Sequence, residues 1–357
     1  MVSDQQNKKG VHLDREKAVK GSAAAGSLEV SGAMATRSPQ VLDTARAGFW
    51  QRTFSVQDLL LLAYSSIVGL LLLRAPPGPS QTIALQHILM ALSLAFFGCL
   101  IARAIPGVPY SMRWAAYRIS SVGSIVYNYV SLRDILPVVR PDSVDAVLLS
   151  IDKAIFGVEP ALWLERFNQR PIVEWFSFFY FSYFFICGLY PIITFCFTRI
   201  NRYTCEYAIG TVIVYCGGQL GYMAVPGFGP IHYLANEYQG PVNGGFFWGC
   251  VWSTVDAAGA LKDIFPSLHT AGPLFFALFA LHRAKFEKHW LWPARITAFF
   301  SFNIIISTVF LRWHYVIDVV AGMLLAITAR YAAPMIVSWE ENRRVKMGIS
   351  RCAWELR

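Results

Sequence analysis

Residues Lys262–Gly272 read KDIFPSLHTAG and residues Phe310–Gly322 read FLRWHYVIDVVAG. The first places His269 at the start of one apolar run, and the second places His314 and Asp318 just after the end of the next. Polar groups at such borders take their meaning from the solvent on the apolar side. The rest of the sequence identifies that solvent.

Of the 357 residues, 55% are hydrophobic, 15% aromatic and only 15% charged, against about a quarter charged in soluble domains. The chain is expected in a membrane. Apolar runs of about 20 residues, the length a helix needs to cross the hydrocarbon, occupy 56–74, 82–101, 172–198, 206–224, 294–311 and 316–337. Two weaker runs, 114–136 with Arg118 and several hydroxyls, and 268–284, bring the expected crossings to about eight. Because backbone polar groups in lipid must be satisfied within their own segment, the sequence predicts an all-α, polytopic membrane helix bundle.

Residues 1–48 lack apolar periodicity and any early apolar core, which predicts a disordered, basic cytosolic tail. Residues 339–357 read as a second basic cytosolic tail, with Trp354 and Leu356 at the headgroups, leaving 49–338 as one transmembrane domain. The seven cysteines include no CxxC pair and so indicate neither a zinc ribbon nor a disulfide framework. A net charge of +9 is ordinary for a chain with basic residues at its helix ends and asks for no nucleic-acid partner.

Lys and Arg concentrate in the loops around 199–205 and 282–295 and in both tails, whereas 225–266 holds only Lys262. The positive-inside rule makes the basic loops cytosolic. By parity, His269, His314 and Asp318 then share one non-cytosolic face, periplasmic or lumenal. The segment Arg133 to Arg170 reaches the same face.

His314 and Asp318 are four apart, so on a helix they stack on one side and the carboxylate can hold one ring nitrogen. The other nitrogen is then offered as a nucleophile, and His269 can act as an acid toward a leaving oxygen. A helix beginning at PSLHTAG adds free backbone N–H groups, a positive dipole end and the Ser267 hydroxyl, which suit a phosphoryl group. Two histidines with Asp318 could instead ligate a metal, but the serine and helix-terminus contacts would then be idle. His232, in the Gly- and Pro-rich VPGFGPIHYL, either lines a substrate site or only turns the chain. Lys262 and Asp263 read as solvated loop charges, and the aromatic run Trp175–Phe185 as lipid-facing packing.

FPSLHTA resembles the PS-x-H motif of the type 2 phosphatidic acid phosphatase superfamily, and STVFLRWHYVID, Ser307–Asp318, resembles its last motif. The resemblance implies His314 as nucleophile, Asp318 as its orienter, His269 as acid, and phosphate contacts from Ser267 and Ser307, with no metal and no cofactor. Thr308 stands where that motif has arginine, which leaves Arg312 as a candidate replacement. RDILPVVRP resembles the first motif, with Arg133 in place of lysine and Arg140 before Pro141; a guanidinium can grip phosphate bidentately. IDKAIFGVEPALWLERF, FSFFYFSYFF and GYMAVPGFGPIHYL are similar to the inositol phosphorylceramide synthase (aureobasidin-resistance) branch. That branch implies a phospholipid donor and a lipid hydroxyl acceptor; a lipid phosphate phosphatase, with water as acceptor, and a non-enzymatic scaffold or transporter are the alternatives. The long loop Gly227–Phe265, with Phe246, Phe247, Trp248 and Trp252, is expected to cover a phosphohistidine and exclude water.

Overall fold

A computed structural model of the protein describes residues 48–356; the expected N-terminal tail, 1–48, lies outside the described residues but for Gly48. A short helix, α1 (Phe49–Thr53), leads into α2 (Val56–Leu73), α3 (Pro79–Arg103) and α4 (Tyr110–Val130). Shorter helices follow, α5 (Leu132–Val139), α6 (Asp145–Phe156) and α7 (Pro160–Leu164), before α8 (Arg170–Ile192) and α9 (Arg202–Ala224). Between α9 and α12 (Leu268–Ala284) lie α10 (Pro230–Tyr233) and α11 (Phe246–Ala258), and the bundle closes with α13 (Leu291–Phe310) and α14 (Val316–Lys346). No strand occurs among the described residues. The protein is a polytopic helical membrane protein.

All eight predicted stretches form long helices, and five of these, α2, α3, α8, α13 and α14, are long and apolar enough to cross a membrane. The stretch at 206–224, read as an apolar run, is not among the five. Its helix, α9, has fifteen of its twenty-three residues buried, including Thr204, Glu206, Thr211 and Gln219. Protein rather than lipid surrounds α9, so it need not be apolar all round. Gln219, for example, accepts the Tyr64 hydroxyl of α2 at 2.6 Å.

Small residues let the helices approach closely, as expected where lipid removes the hydrophobic drive between them. Gly322, Ala326, Ala329 and Ala333 form a buried stripe on α14, which packs on α9 and α12. At the top of that stripe a Cβ on Gly322 would stand 2.4 Å from the Ser267 carbonyl oxygen. The absence of a side chain there sets the spacing between the starts of α12 and α14.

The C-terminal segment differs from the expected tail. α14 continues through residue 338 to Lys346, and Trp354 and Leu356, expected at the headgroups, are buried in the bundle. The Trp354 ring stacks on Phe195 with centroids 4.1 Å apart and its indole N–H donates to Gln57 at 2.9 Å. The physical reason is amphipathy: the indole finds an apolar slot and a buried acceptor together. Arg118 is drawn into the same cluster, donating to the Phe195 carbonyl at 2.8 Å with its guanidinium over Trp114.

At the opposite end of the bundle, α5, α6, α7, α10 and α11 form a cap. Carboxylates pin it by accepting backbone N–H groups, charge-assisted bonds of the stronger kind. Asp145 accepts Phe228 and Gly229, both at 2.9 Å, and Glu174 accepts Gly245, Phe247 and Trp248 at 2.8–3.0 Å, capping the start of α11. Lys262 is a buried latch rather than a solvated charge, its ammonium donating to the carbonyls of Arg140, Pro141 and Asp142.

Candidate active site

Three chain segments converge beneath the cap. Ser267 caps α12: its hydroxyl accepts the Thr270 N–H at 3.3 Å, while its own N–H donates to the Asp318 carbonyl at 3.0 Å. The chain after α13 turns sharply because the Trp313 and His314 N–H groups both donate to the Thr308 carbonyl, at 3.0 and 3.1 Å. That turn points His314 back toward α12. α14 then starts under the carboxylate of Asp152, which accepts Val316 N–H at 2.6 Å and Ile317 N–H at 3.0 Å.

As a result, the rings of His269 and His314 face each other with centroids 5.8 Å apart. Behind His314, its Nδ1 lies 3.5 Å from Asp318 Oδ2, which also accepts the Tyr315 N–H at 2.9 Å. The 3.5 Å separation is long for a hydrogen bond, so the carboxylate stands behind the ring as its nearest charge. Burial pushes the His314 imidazole down to about 3; the ring is neutral, the form with a lone pair to offer. His269 is clasped by aromatic rings of α8. Tyr180 stacks at 4.4 Å and Tyr183 at 4.2 Å between centroids, and Phe184 meets it edge-on. The run Trp175–Phe185 therefore has two faces: Trp175 and Phe185 are exposed, while Tyr180 and Tyr183 are buried against the histidine.

Both histidines line one pocket. Its walls are mostly apolar, with Tyr129, Phe228, Ile264 and Trp313 among them, and it also takes in His232 and Asp263. Of the two sequence readings of His232, lining a site and turning the chain, the first describes its position; its ring stacks on Trp252 at 6.2 Å. Asp263 lies opposite the histidines, where burial lifts its carboxyl to about 7 and the Tyr129 hydroxyl donates to it at 3.5 Å. The reading of Asp263 as a solvated loop charge is thereby corrected. Val255 and Ala258 of α11 close one side, and Trp248 and Trp252 of the same helix gather around Trp313.

The expected phosphate contacts are dispersed. Arg133 stands at the rim, its guanidinium carbon 3.4 Å from where a Cβ of Gly259 would be, between the pocket residues Ala258 and Ala260. Arg140 is turned away, donating to Asp142 and to the carbonyls of Met223 and Ala224. Arg312 is not in the pocket either: it donates to Gly240 O at 2.9 Å and Glu165 at 3.2 Å and covers the Tyr238 ring. Its backbone is left-handed, φ 69°, a conformation costly for a side-chain residue, and the cap holds it there through Ile231 N–H on its carbonyl at 2.6 Å. Ser307 is fully buried and donates to the Ile304 carbonyl at 2.6 Å. Thr308, at the arginine position of the resembled motif, is equally buried.

Asp145, Asp152 and Glu174 were not legible as site residues. An acidic residue that caps a distant helix looks in sequence like any loop carboxylate. Among the described residues no group of three or more His, Cys, Asp or Glu is gathered as a metal-ligand set.

A family model described as the PAP2 superfamily matches residues 146–332, more than half of the chain. The match contains His269, His314, Asp318 and the capping Asp152, and begins after Arg133 and Arg140. No curated protein and no solved structure matches.

Proposed function

Since the chain belongs to the PAP2 superfamily, a match that supports an enzyme acting on lipid phosphates in a membrane, we propose that it is a lipid phosphotransferase working through a phosphohistidine. One observation carries the reading: His314, backed by Asp318, faces His269 across a single pocket. In the first step, Nε2 of His314 attacks phosphorus, the bond to the leaving lipid oxygen breaks, and His269 gives that oxygen a proton. In the second, an acceptor hydroxyl returns a proton to His269 while its oxygen attacks phosphorus and the P–N bond breaks. Asp318 holds the imidazolium-like ring throughout, as carboxylates do behind catalytic histidines.

Charge on the phosphoryl oxygens is met in this reading by the N–H groups at the start of α12, by Ser267 and by Arg133 at the rim. No metal is required. Arg140, Ser307 and Arg312 serve instead to shape the backbone around the site.

The apolar walls and the indoles of α11 over the pocket favour a lipid hydroxyl over water as acceptor. The similarity to the inositol phosphorylceramide synthase branch suggests an inositol-phosphate-like head group moving between a phospholipid and a second lipid. The distribution of Lys and Arg supports a site on the periplasmic or lumenal face. An acceptor-dependence assay in defined lipids tests the proposal: transfer should require a lipid alcohol, and release of inorganic phosphate or phosphorylated head group with water alone would make the protein a hydrolase.

A further inference from the structure

A second cavity, of about 270 Å³, lies beside the catalytic pocket within the membrane-spanning helices. Tyr129 and Phe184 line both, and Tyr183, whose ring covers His269, lines the second as well. From there the cavity descends between α4 and α8 over a floor formed by α9, ending at Phe195 and Trp354. Tyr183 to Phe195 is about 18 Å of helical rise at 1.5 Å per residue, more than half of the roughly 30 Å hydrocarbon core.

The slot exists because its two walls pack elsewhere. α4 lies on α3, and α8 on α13 and α11. At its lower end Pro191, which has no N–H to give, precedes a π-helical turn, Ile193–Phe197, that swings Phe195 inward against Trp354. Val126 and Gly188 form exposed lips on the lipid side. Inside, polar groups are spent on one another: Thr211 donates to the Tyr207 carbonyl at 2.8 Å and Tyr215 to the Cys187 sulfur at 3.0 Å. The lining is predominantly apolar, and the lateral opening admits a hydrocarbon chain from the bilayer.

We propose that this slot holds a single hydrocarbon chain of the lipid phosphate, with the head group in the histidine pocket and the chain passing Tyr129 and Phe184 into the bundle. The inference rests on the reading of a lipid phosphate as substrate. It adds chain selectivity: a chain long enough to fill the slot makes packing contacts along its walls that a short one does not.

Two measurements test it. A Cβ at Gly188, on the exposed lip, would meet no atom within 4 Å, so Gly188→Leu obstructs the mouth of the slot without displacing the histidines. With a lipid alcohol present, the variant should lose about tenfold in kcat/KM, through KM, on dihexadecanoyl phosphatidylinositol while turning over the dihexanoyl analogue as the parent does. Independently of turnover, hexadecyl phosphate carrying a terminal diazirine should crosslink to Phe195 or Trp354 in the full-length protein. Excess hexadecyl phosphate should suppress that labelling and butyl phosphate should not. If the protein turns over neither phosphatidylinositol, the reaction reading falls while the crosslink still decides the slot. Crosslinks confined to residues outside the slot, or a Gly188→Leu enzyme affected equally on both chain lengths, overturn the proposal.

Discussion

The Asp152 carboxylate receives the backbone N–H of Val316 at 2.6 Å, and that of Ile317 at 3.0 Å, although it is more than 160 positions away in the chain. A residue of the cap therefore fixes the start of the helix that carries Asp318, two positions after the one that carries His314. Removing the acceptor leaves two N–H groups at a buried helix start without partners, at a cost of about 1–3 kcal/mol each. Asp152→Ala should lower kcat by about tenfold or more and leave KM nearly unchanged, with Asp152→Asn intermediate because its amide oxygen still accepts one bond. Steady-state kinetics on the two purified variants check this; an Asp152→Ala enzyme with parental kcat contradicts it.

Two of the three arginines read as phosphate contacts separate by position. Arg133 stands free at the rim, whereas Arg312 is spent on Glu165, Gly240 and Tyr238. Arg133→Ala should raise KM for the phosphate substrate about tenfold with little change in thermal stability. Arg312→Ala should lower the melting temperature instead, since it leaves Glu165 without its cation and frees the cap. Thermal unfolding and KM measured side by side give the pattern, and a reversed pattern refutes the assignment.

Legibility in the sequence followed the range of the interaction. That His269, His314 and Asp318 converge could be read in advance, because residue spacing and the order of helices are local or additive properties. The long helices were visible for the same reason, hydropathy being a sum over neighbours. Arg312 and Arg140 could not be placed, because where a guanidinium ends up depends on which carbonyls and carboxylates the fold brings within reach. That α9 is enclosed by other helices could not be read, since sequence does not reveal which helix is surrounded by others. Trp354 was misplaced at the headgroups because its slot is assembled from Phe195, Tyr117 and Gln57, all distant in the chain.

Asp263 makes the pH dependence specific. Its carboxyl, raised to about 7 by burial, faces Tyr129, Tyr180, Tyr222, His269 and His314. Below pH 7 it is neutral and tolerates a phosphate; above, it is an anion beside one. KM should rise as pH passes upward through about 7, and Asp263→Asn should remove that rise. Comparing the two proteins on one substrate removes any titration of the substrate itself. The same shift bears on stability: the folded state holds this proton to higher pH than the unfolded chain, so stability is lost as pH climbs from about 4 through about 7. An Asp263→Asn protein with an unchanged KM profile contradicts the role.

The central claim is the nucleophile, and trapping tests it most directly. Full-length protein in detergent, mixed with lipid substrate labelled in the transferred phosphate and quenched in alkali within a turnover, should carry acid-labile label on one histidine. Peptide mass spectrometry should place the phosphate on His314, and His314→Ala should abolish both label and turnover while His269→Ala slows both steps. Label on any other residue, or a His314→Ala protein that retains parental activity, would contradict the account.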